Sequence, residues 1–325
     1  MQQITLGELI FEVLDEQPTA TPARPATAES EPPVLLLHGF PQDLTSWDSL
    51  AIGLHRSGYR TIRPNLRGYS PRARPRSVGD FRLHCLVGDV VGLLDALAIP
   101  RCHVVGHDWG GGLAWALGCE VPTRVATVTV LSTPHPAAML RMALRSDQWL
   151  RSWYMAAFQV PGLAERLLHP SGRAWRAIMR GLPVDAQQHY TRRADEPGAL
   201  TAMLAWYRAM ARDLLSGSVA WQPIHQPTLY CWGARDPALG AAAAHATHRF
   251  VTGPYTFLVL PNHGHWLPER ASASILPALL KHLSPVETRA ETPVETRAET
   301  PVETRAETPV ETRAETPVET RRVAP

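Results

Sequence analysis

An open α/β sheet, mostly parallel, with helices on both faces and an inserted helical segment, is the fold class this sequence predicts. Three observations predict it. Short apolar runs alternate with amphipathic stretches over residues 1–135. The alternation stops at residues 136–222, where the pattern is helical, and it resumes with two more strands and a closing helix. Wholly apolar strands mark a sheet covered on both faces, the usual state of parallel strands.

In order, residues 4–6 and 10–14 give two short strands turned at Gly7-Glu8, and residues 15–33 have the Pro, Thr, Ala and Glu content of a loop. Val34-Leu35-Leu36-Leu37, bounded by Pro33 and Gly39, is a strand buried on both faces. Arg60-Thr61-Ile62 supplies the next strand, and residues 85–97 an amphipathic helix stopped by Pro100. His103-Val104-Val105 precedes a Gly-rich turn, a small-residue helix over 111–117 and a buried strand over 125–131. The helical block from Pro136 to about Gln222 is rich in Trp, Met, Ala and Arg and is punctuated by Pro161, Pro170, Pro183 and Pro197. Strands at 228–232 and 256–260 and a helix over 271–282 close the body.

The expected organisation is a core of residues 1–135 and 223–284, a lid of residues 136–222 across the carboxyl ends of the strands, and a tail of residues 285–325. In the tail the octamer Pro-Val-Glu-Thr-Arg-Ala-Glu-Thr begins at 285, 293, 301 and 309, without Leu, Ile or an aromatic residue. Such a segment buries too little apolar surface to offset its ordering entropy, so it is predicted to be disordered.

Composition excludes several classes. The formal net charge of +2 argues against a polyanion-binding protein, and the Arg-rich run from Arg63 to Arg82, with prolines and few aromatics, predicts a solvated loop rather than a nucleic-acid surface. Cys85, Cys102, Cys119 and Cys231 lack Cys-x-x-Cys or metal-ligand spacing and read as small core residues of a reducing compartment. No signal-like opening segment is present, and no apolar run approaches the ~20 residues that span a bilayer. The expectation is a cytoplasmic protein without a metal or organic cofactor and without nucleic-acid or membrane partners. A homo-oligomer stays open.

Chemistry concentrates at strand exits. Gly106-His107-Asp108-Trp109-Gly110 is a Gly-x-nucleophile-x-Gly turn between strand and helix, so sharp that only small residues fit around its centre. Its central carboxylate is ionised at pH 7 (a free Asp has pKa about 3.9) and attacks carbon without first losing a proton. Asp236 follows the strand at 228, and His265 follows the last strand, 29 residues further on. Nucleophile, acid, histidine is the chain order of α/β-hydrolases. His38-Gly39-Phe40-Pro41 stands at the end of the Val34 strand, while His135 and His263 read as turn residues. Neither G-x-G-x-x-G nor GK[ST] follows a strand, which argues against a dinucleotide or phosphate role.

These motifs resemble those of the epoxide hydrolases of the α/β-hydrolase superfamily, across residues 1–284. His38-Gly39-Phe40-Pro41 and His107-Asp108-Trp109-Gly110-Gly111 are similar to that family's oxyanion and nucleophile motifs. Trp206-Tyr207-Arg208, and Tyr154 four residues before Phe158-Gln159-Val160-Pro161-Gly162, resemble its lid segments. The resemblance implies hydrolysis of a small-molecule epoxide by water, giving a vicinal diol through an ester on Asp108. Tyr154 and Tyr207 then hold the epoxide oxygen, which suits a phenol of pKa about 10 that stays protonated at neutral pH. His265, oriented by Asp236, activates water, and the backbone N–H groups of Phe40 and Trp109 form the oxyanion hole. The implied substrate pocket comprises His38, Trp109, Trp153, Phe158 and Trp266.

Two departures stand out. Asn65-Leu66-Arg67-Gly68 replaces an acidic start, which predicts that Arg67 is held less tightly, and the loop from Ser70 to Ser77 is unusually basic. A haloalkane or haloacid dehalogenase is the alternative, with Trp149, Trp153 and Trp206 as N–H donors to halide. A non-catalytic scaffold of the same fold is a third reading.

Overall fold

The computed structural model describes residues 1–19, 31–143, 145–146, 153–217, 219 and 221–284, with backbone alone for Trp153 and Tyr154. The repeat segment and Trp149 lie outside the described residues.

Strands β1 (Gln2–Leu6) and β2 (Leu9–Glu16) form a hairpin turned at Gly7, and β2 pairs antiparallel with β4 (Thr61–Pro64). β3 (Val34–Leu37), β5 (Cys102–His107), β6 (Val125–Leu131), β7 (Thr228–Gly233) and β8 (Tyr255–Leu260) complete one sheet. Its order is β1-β2-β4-β3-β5-β6-β7-β8, and the pairs from β4 onward are parallel.

Every residue of β3, β5 and β7 is buried, because helices cover both faces. The period of two divides their side chains between two cores. Val34 and Leu36 meet α1 (Asp48–Arg56) and the C-terminal α12 (Ser272–Leu283), whereas Leu35 and Leu37 join the core built on α2 (Leu83–Ala96) and α3 (Trp109–Glu120). Helix α1 carries Leu50, Ala51 and Leu54 inward, with Asp48 in its first turn and Arg56 in its last, both matched to the helix dipole.

Between β6 and β7 lie α4 (Pro136–Ala143), α5 (Trp153–Ala157), α6 (Leu163–Leu167), α7 (Arg173–Ile178), α8 (Val184–Asp195) and α9 (Ala199–Ser216). Polar ties join this block to the sheet. Trp206 Nε1 donates to the Arg67 carbonyl at 2.8 Å, Arg82 pairs with Asp213 at 2.6 Å, and Arg74 pairs with Glu196 at 2.6 Å. After β7 come α10 (Ala241–Ala246) and then α11 (Leu267–Arg270), which precedes α12. The predicted closing helix over 271–282 is α12, and the short α11 before it was not predicted.

Three expectations are corrected. The arginines between 63 and 82 do not form a solvated loop, because carboxylates on other elements face most of them. Arg63, 4% exposed, pairs with Glu16 and Asp48, while Arg72 and Arg76 remain exposed. Arg67 is held firmly. Asp89 on α2 accepts from its Nε and Nη2 at 2.6 and 2.5 Å, and the Asp80 carbonyl accepts from Nη1 at 2.7 Å. Asn65 instead accepts from Leu44 N at 2.9 Å and donates to Glu12 at 2.7 Å. The four cysteines are free thiols, but Cys85 and Cys119 are only half-buried, so core packing describes Cys102 and Cys231 alone.

Candidate active site

Asp108 sits between the last residue of β5 and the first of α3 with φ 52° and ψ −117°. A non-glycine residue there stores roughly 1–3 kcal/mol of strain, tolerated where the surroundings over-determine it. Here they do. A Cβ on Gly106 would stand 2.1 Å from the Gly110 carbonyl oxygen, and one on Gly39 would stand 2.3 Å from Asp108 Cβ. Only bare backbone lets β3's exit loop and α3 close around this carboxylate.

That closeness polarises the carboxylate. Phe40 N–H donates to Asp108 Oδ1 at 2.7 Å, while Oδ2 lies 3.6 Å from His265 Nε2. Burial pushes the carboxyl pKa up, but His265 and the Phe40 N–H outweigh it and hold Asp108 below its ordinary value. On the far side of the ring, His265 Nδ1 is 2.8 Å from Asp236 Oδ2. Asp236, 4% exposed, is fixed by the N–H groups of Ala238 and Leu239 on its other oxygen, at 2.8 and 3.0 Å. Burial opposes charge on His265, yet Asp236 and Asp108 overcome it and raise the imidazole to about 10. His265 is therefore an imidazolium while both carboxylates are charged.

A cavity of about 290 Å³ opens on Asp108. Apart from Asp108, Thr133 and Asp213, its wall is hydrocarbon, sulfur or aromatic ring, including Trp109, Met139, Met155, Tyr207 and Met210. Tyr207, on α9, is packed edge-on by Trp109 at 4.8 Å, Phe158 at 4.9 Å and Phe40 at 5.6 Å between centroids. Trp109 Nε1 is buried without a hydrogen-bond partner, whereas Trp206 Nε1 is engaged by Arg67.

The structure therefore brings Asp108, Asp236, His265, Phe40, Trp109 and Tyr207 together. Tyr154 and Trp153 lie on α5, but their side chains are outside the described residues. His38, Phe158 and Trp266 do not line this cavity. His38 is fully buried, accepts from Leu66 N at 3.1 Å and is pushed down to about 4 by burial. Phe158 backs Tyr207, and Trp266 stacks edge-on against His265 at 5.0 Å while donating to the Arg180 carbonyl. His135, stacked on Phe250 at 5.0 Å, is a core residue. Among the described residues no group of three or more His, Cys, Asp or Glu is placed to hold a metal ion.

Sequence reasoning assigned no role to Gln42, His107 or Glu269. Gln42 Oε1 faces both Gly39 N at 3.1 Å and His107 Nδ1 at 2.8 Å, and its amide nitrogen donates to Glu269 Oε1 at 2.8 Å. Burial lowers His107 to about 3 and raises Glu269 to about 7. Position alone signals them: Gln42 directly follows the His-Gly-Phe-Pro motif, and Glu269 is one helical turn beyond His265.

A strained carboxylate at the exit of a central parallel strand, with an Asp-fixed histidine beside it, defines an α/β-hydrolase site. The family described as alpha/beta hydrolase fold matches residues 32–270. The chain is 32% identical to the AB hydrolase superfamily protein YfhM of Bacillus subtilis, over 79% of this chain and 92% of that protein. It is 30% identical to epoxide hydrolase A of Mycobacterium tuberculosis, with the same coverage. The crystal structure of epoxide hydrolase A from Mycobacterium thermoresistibile superposes with a TM-score of 0.74 at 25% identity, covering 87% of this chain and 97% of that one. The chain belongs to the epoxide hydrolases of the α/β-hydrolase superfamily.

Proposed function

We propose that the protein hydrolyses an epoxide to a vicinal diol in two steps, through an ester on Asp108. The observation that carries this is the division of labour within one carboxylate. Oδ1 is pinned by the Phe40 N–H, and Oδ2 is left beside His265. Oδ2 attacks the less hindered epoxide carbon, the C–O bond breaks, and the oxygen takes a proton from Tyr207, with Tyr154 as its proposed second donor. A residue committed to stabilising an oxyanion is thereby already in place, since Oδ1 becomes the ester carbonyl oxygen.

Electrostatics then switch the histidine's role. Esterification removes the Asp108 charge, one of the causes that raise His265, so His265 releases its proton, which restores the phenol. The neutral imidazole takes a proton from water, hydroxide adds to the ester carbonyl, and the N–H groups of Phe40 and Trp109 hold Oδ1 as it becomes an oxyanion. Collapse expels the diol alkoxide, which takes the proton left on the regenerated carboxyl. Asp108 ends as a carboxylate and His265 as an imidazolium, as they began. Protons and charge balance without a co-reactant.

A dehalogenase needs more than one N–H donor at a halide, and beside the unpartnered Trp109 Nε1 the second indole, Trp206, already gives its N–H to Arg67, so the epoxide reading fits better. The test is His265→Gln mixed with a styrene-oxide-like substrate. Intact-protein mass spectrometry should show one substrate added, on the peptide bearing Asp108. Undiminished turnover with no adduct overturns the covalent route.

A further inference from the structure

We propose that Glu269 is a positioning residue for the hydrolytic half-reaction, acting through Gln42 on the loop that holds the oxyanion. The inference rests on the two-step reading above and adds to it a residue that touches neither substrate nor nucleophile.

An amide side chain has two different ends, and its neighbours decide which way round it sits. Gly39 N–H only donates, so it requires the oxygen of Gln42, at 3.1 Å. The other end meets Glu269 Oε1 at 2.8 Å, an acceptor that requires the amide nitrogen. With both constraints present the orientation is fixed. His107, held neutral by burial, then donates from Nδ1 to the same Gln42 oxygen at 2.8 Å. The His265 carbonyl, 2.9 Å from His107 Nε2, takes its hydrogen bond from Ser132 Oγ at 2.9 Å.

Without Glu269 the second constraint disappears. The amide turns over to suit His107, whose proton moves to Nε2 to reach the His265 carbonyl. Gly39 N–H then faces an NH₂ group and loses its acceptor. Gly39 immediately precedes Phe40, whose N–H holds Asp108 Oδ1, so a loosened Gly39 weakens the oxyanion hole. Glu269 also accepts from Tyr190 Oη on α8 at 3.0 Å, so the same oxygen ties the helical block to this loop. Its second oxygen, Oε2, is buried and bonded to nothing. One carboxylate oxygen thus serves both donors.

The two half-reactions respond differently. Ester formation uses Oδ2 and the phenols, so it tolerates a weaker hold on Oδ1. Ester hydrolysis develops charge on Oδ1 and does not. Slowing hydrolysis alone lowers kcat and KM together and leaves kcat/KM unchanged, because kcat/KM reports only steps up to the ester.

The experiment is steady-state kinetics of Glu269→Leu, Glu269→Gln and Gln42→Leu on an aryl epoxide, with intact-mass measurement of the esterified fraction. E269L and Q42L should each lose about tenfold in kcat and in KM, the effect of one buried hydrogen bond. Their kcat/KM should hold, and the ester should accumulate at steady state. E269Q keeps an acceptor oxygen and should stay within about twofold of wild type. If E269L does not fold, Q42L carries the test. A proportional fall of kcat and kcat/KM in the folded variants, or E269Q as impaired as E269L, overturns the assignment. A wild-type enzyme that forms no diol from any epoxide overturns the two-step reading instead, and the inference with it.

Discussion

At the junction of β5 and α3, backbone sets the position of Asp108: Phe40 N–H on one oxygen, the Gly39 loop against its Cβ, and Gly106 folded onto the Gly110 carbonyl. Across the cavity, Tyr207 on α9 is placed by side chains, the rings of Trp109, Phe158 and Phe40. Backbone closure admits one solution and leaves a trace in sequence, because only glycine satisfies it. Ring packing admits many solutions of similar volume. The Asp108 side of the cavity is therefore rigid by construction, and the facing side is adjustable. On the proposed two-step reading, substrate choice would reside in the residues between β6 and β7, and bond-making at the sheet.

The sharpest way to break that contrast is Gly106→Ala. A methyl group 2.1 Å from a backbone oxygen has no flexible neighbour to displace. The expected cost is at the exceptional end for a single substitution, about 4 kcal/mol or more, measured by urea unfolding. A variant within about 1 kcal/mol of wild type would show that the turn relaxes and that sterics do not hold Asp108.

Tyr207→Phe probes the other side. The ring and its three edge-on contacts remain, so thermal stability should barely change. The proposed proton donor is gone, so single-turnover ester formation should slow by about 10² or more. Loss of stability without loss of rate would make Tyr207 a packing residue and return the cavity's polarity to Trp109 Nε1.

The same division explains what could be read without coordinates. Strand β3 was legible because burial on both faces forces an unbroken apolar run, and β5 was legible by the apolar pair Val104-Val105 ahead of its Gly-rich turn. Asp108, Asp236 and His265 were legible because each stands at a strand exit, and the structure does bring them together. The pocket wall was not. Met139, Met155 and Met210 come from three different helices whose mutual placement depends on long-range packing. His38 looked like a wall residue because it opens the His-Gly-Phe-Pro motif, yet just past the end of β3 its Nε2 is buried against Leu66 N. The Arg-rich run misled for a related reason, since its carboxylate partners Asp89, Glu196 and Asp213 are distant in sequence.

The smallest expected effect tests whether the adjustable side is also titratable. His189 on α8 lies 2.6 Å from Asp43, in the loop after β3, so the pair links the helical block to the loop that carries Phe40. The hydrogen bond that His189 donates to Asp43 raises His189 above its ordinary value. Burial pushes Asp43 up, but His189 and Thr45 bring it below its own. A raised histidine contributes stability that is fully present below its unfolded pKa of about 6.5 and is lost as pH rises through the folded value. A depressed carboxylate contributes above about 3.9 and loses its share as pH falls through its folded value. The tie is therefore complete between about pH 4 and 6 and fades above neutrality. His189→Gln should narrow the stability gap between acid and alkaline buffers, with its largest deficit in that acid window. Because His189 is one-third exposed, solvent screening keeps the effect modest, and higher ionic strength should shrink it further. A deficit that is flat with pH would mean that the contact is packing and that the titratable tie between the helical block and this loop is absent.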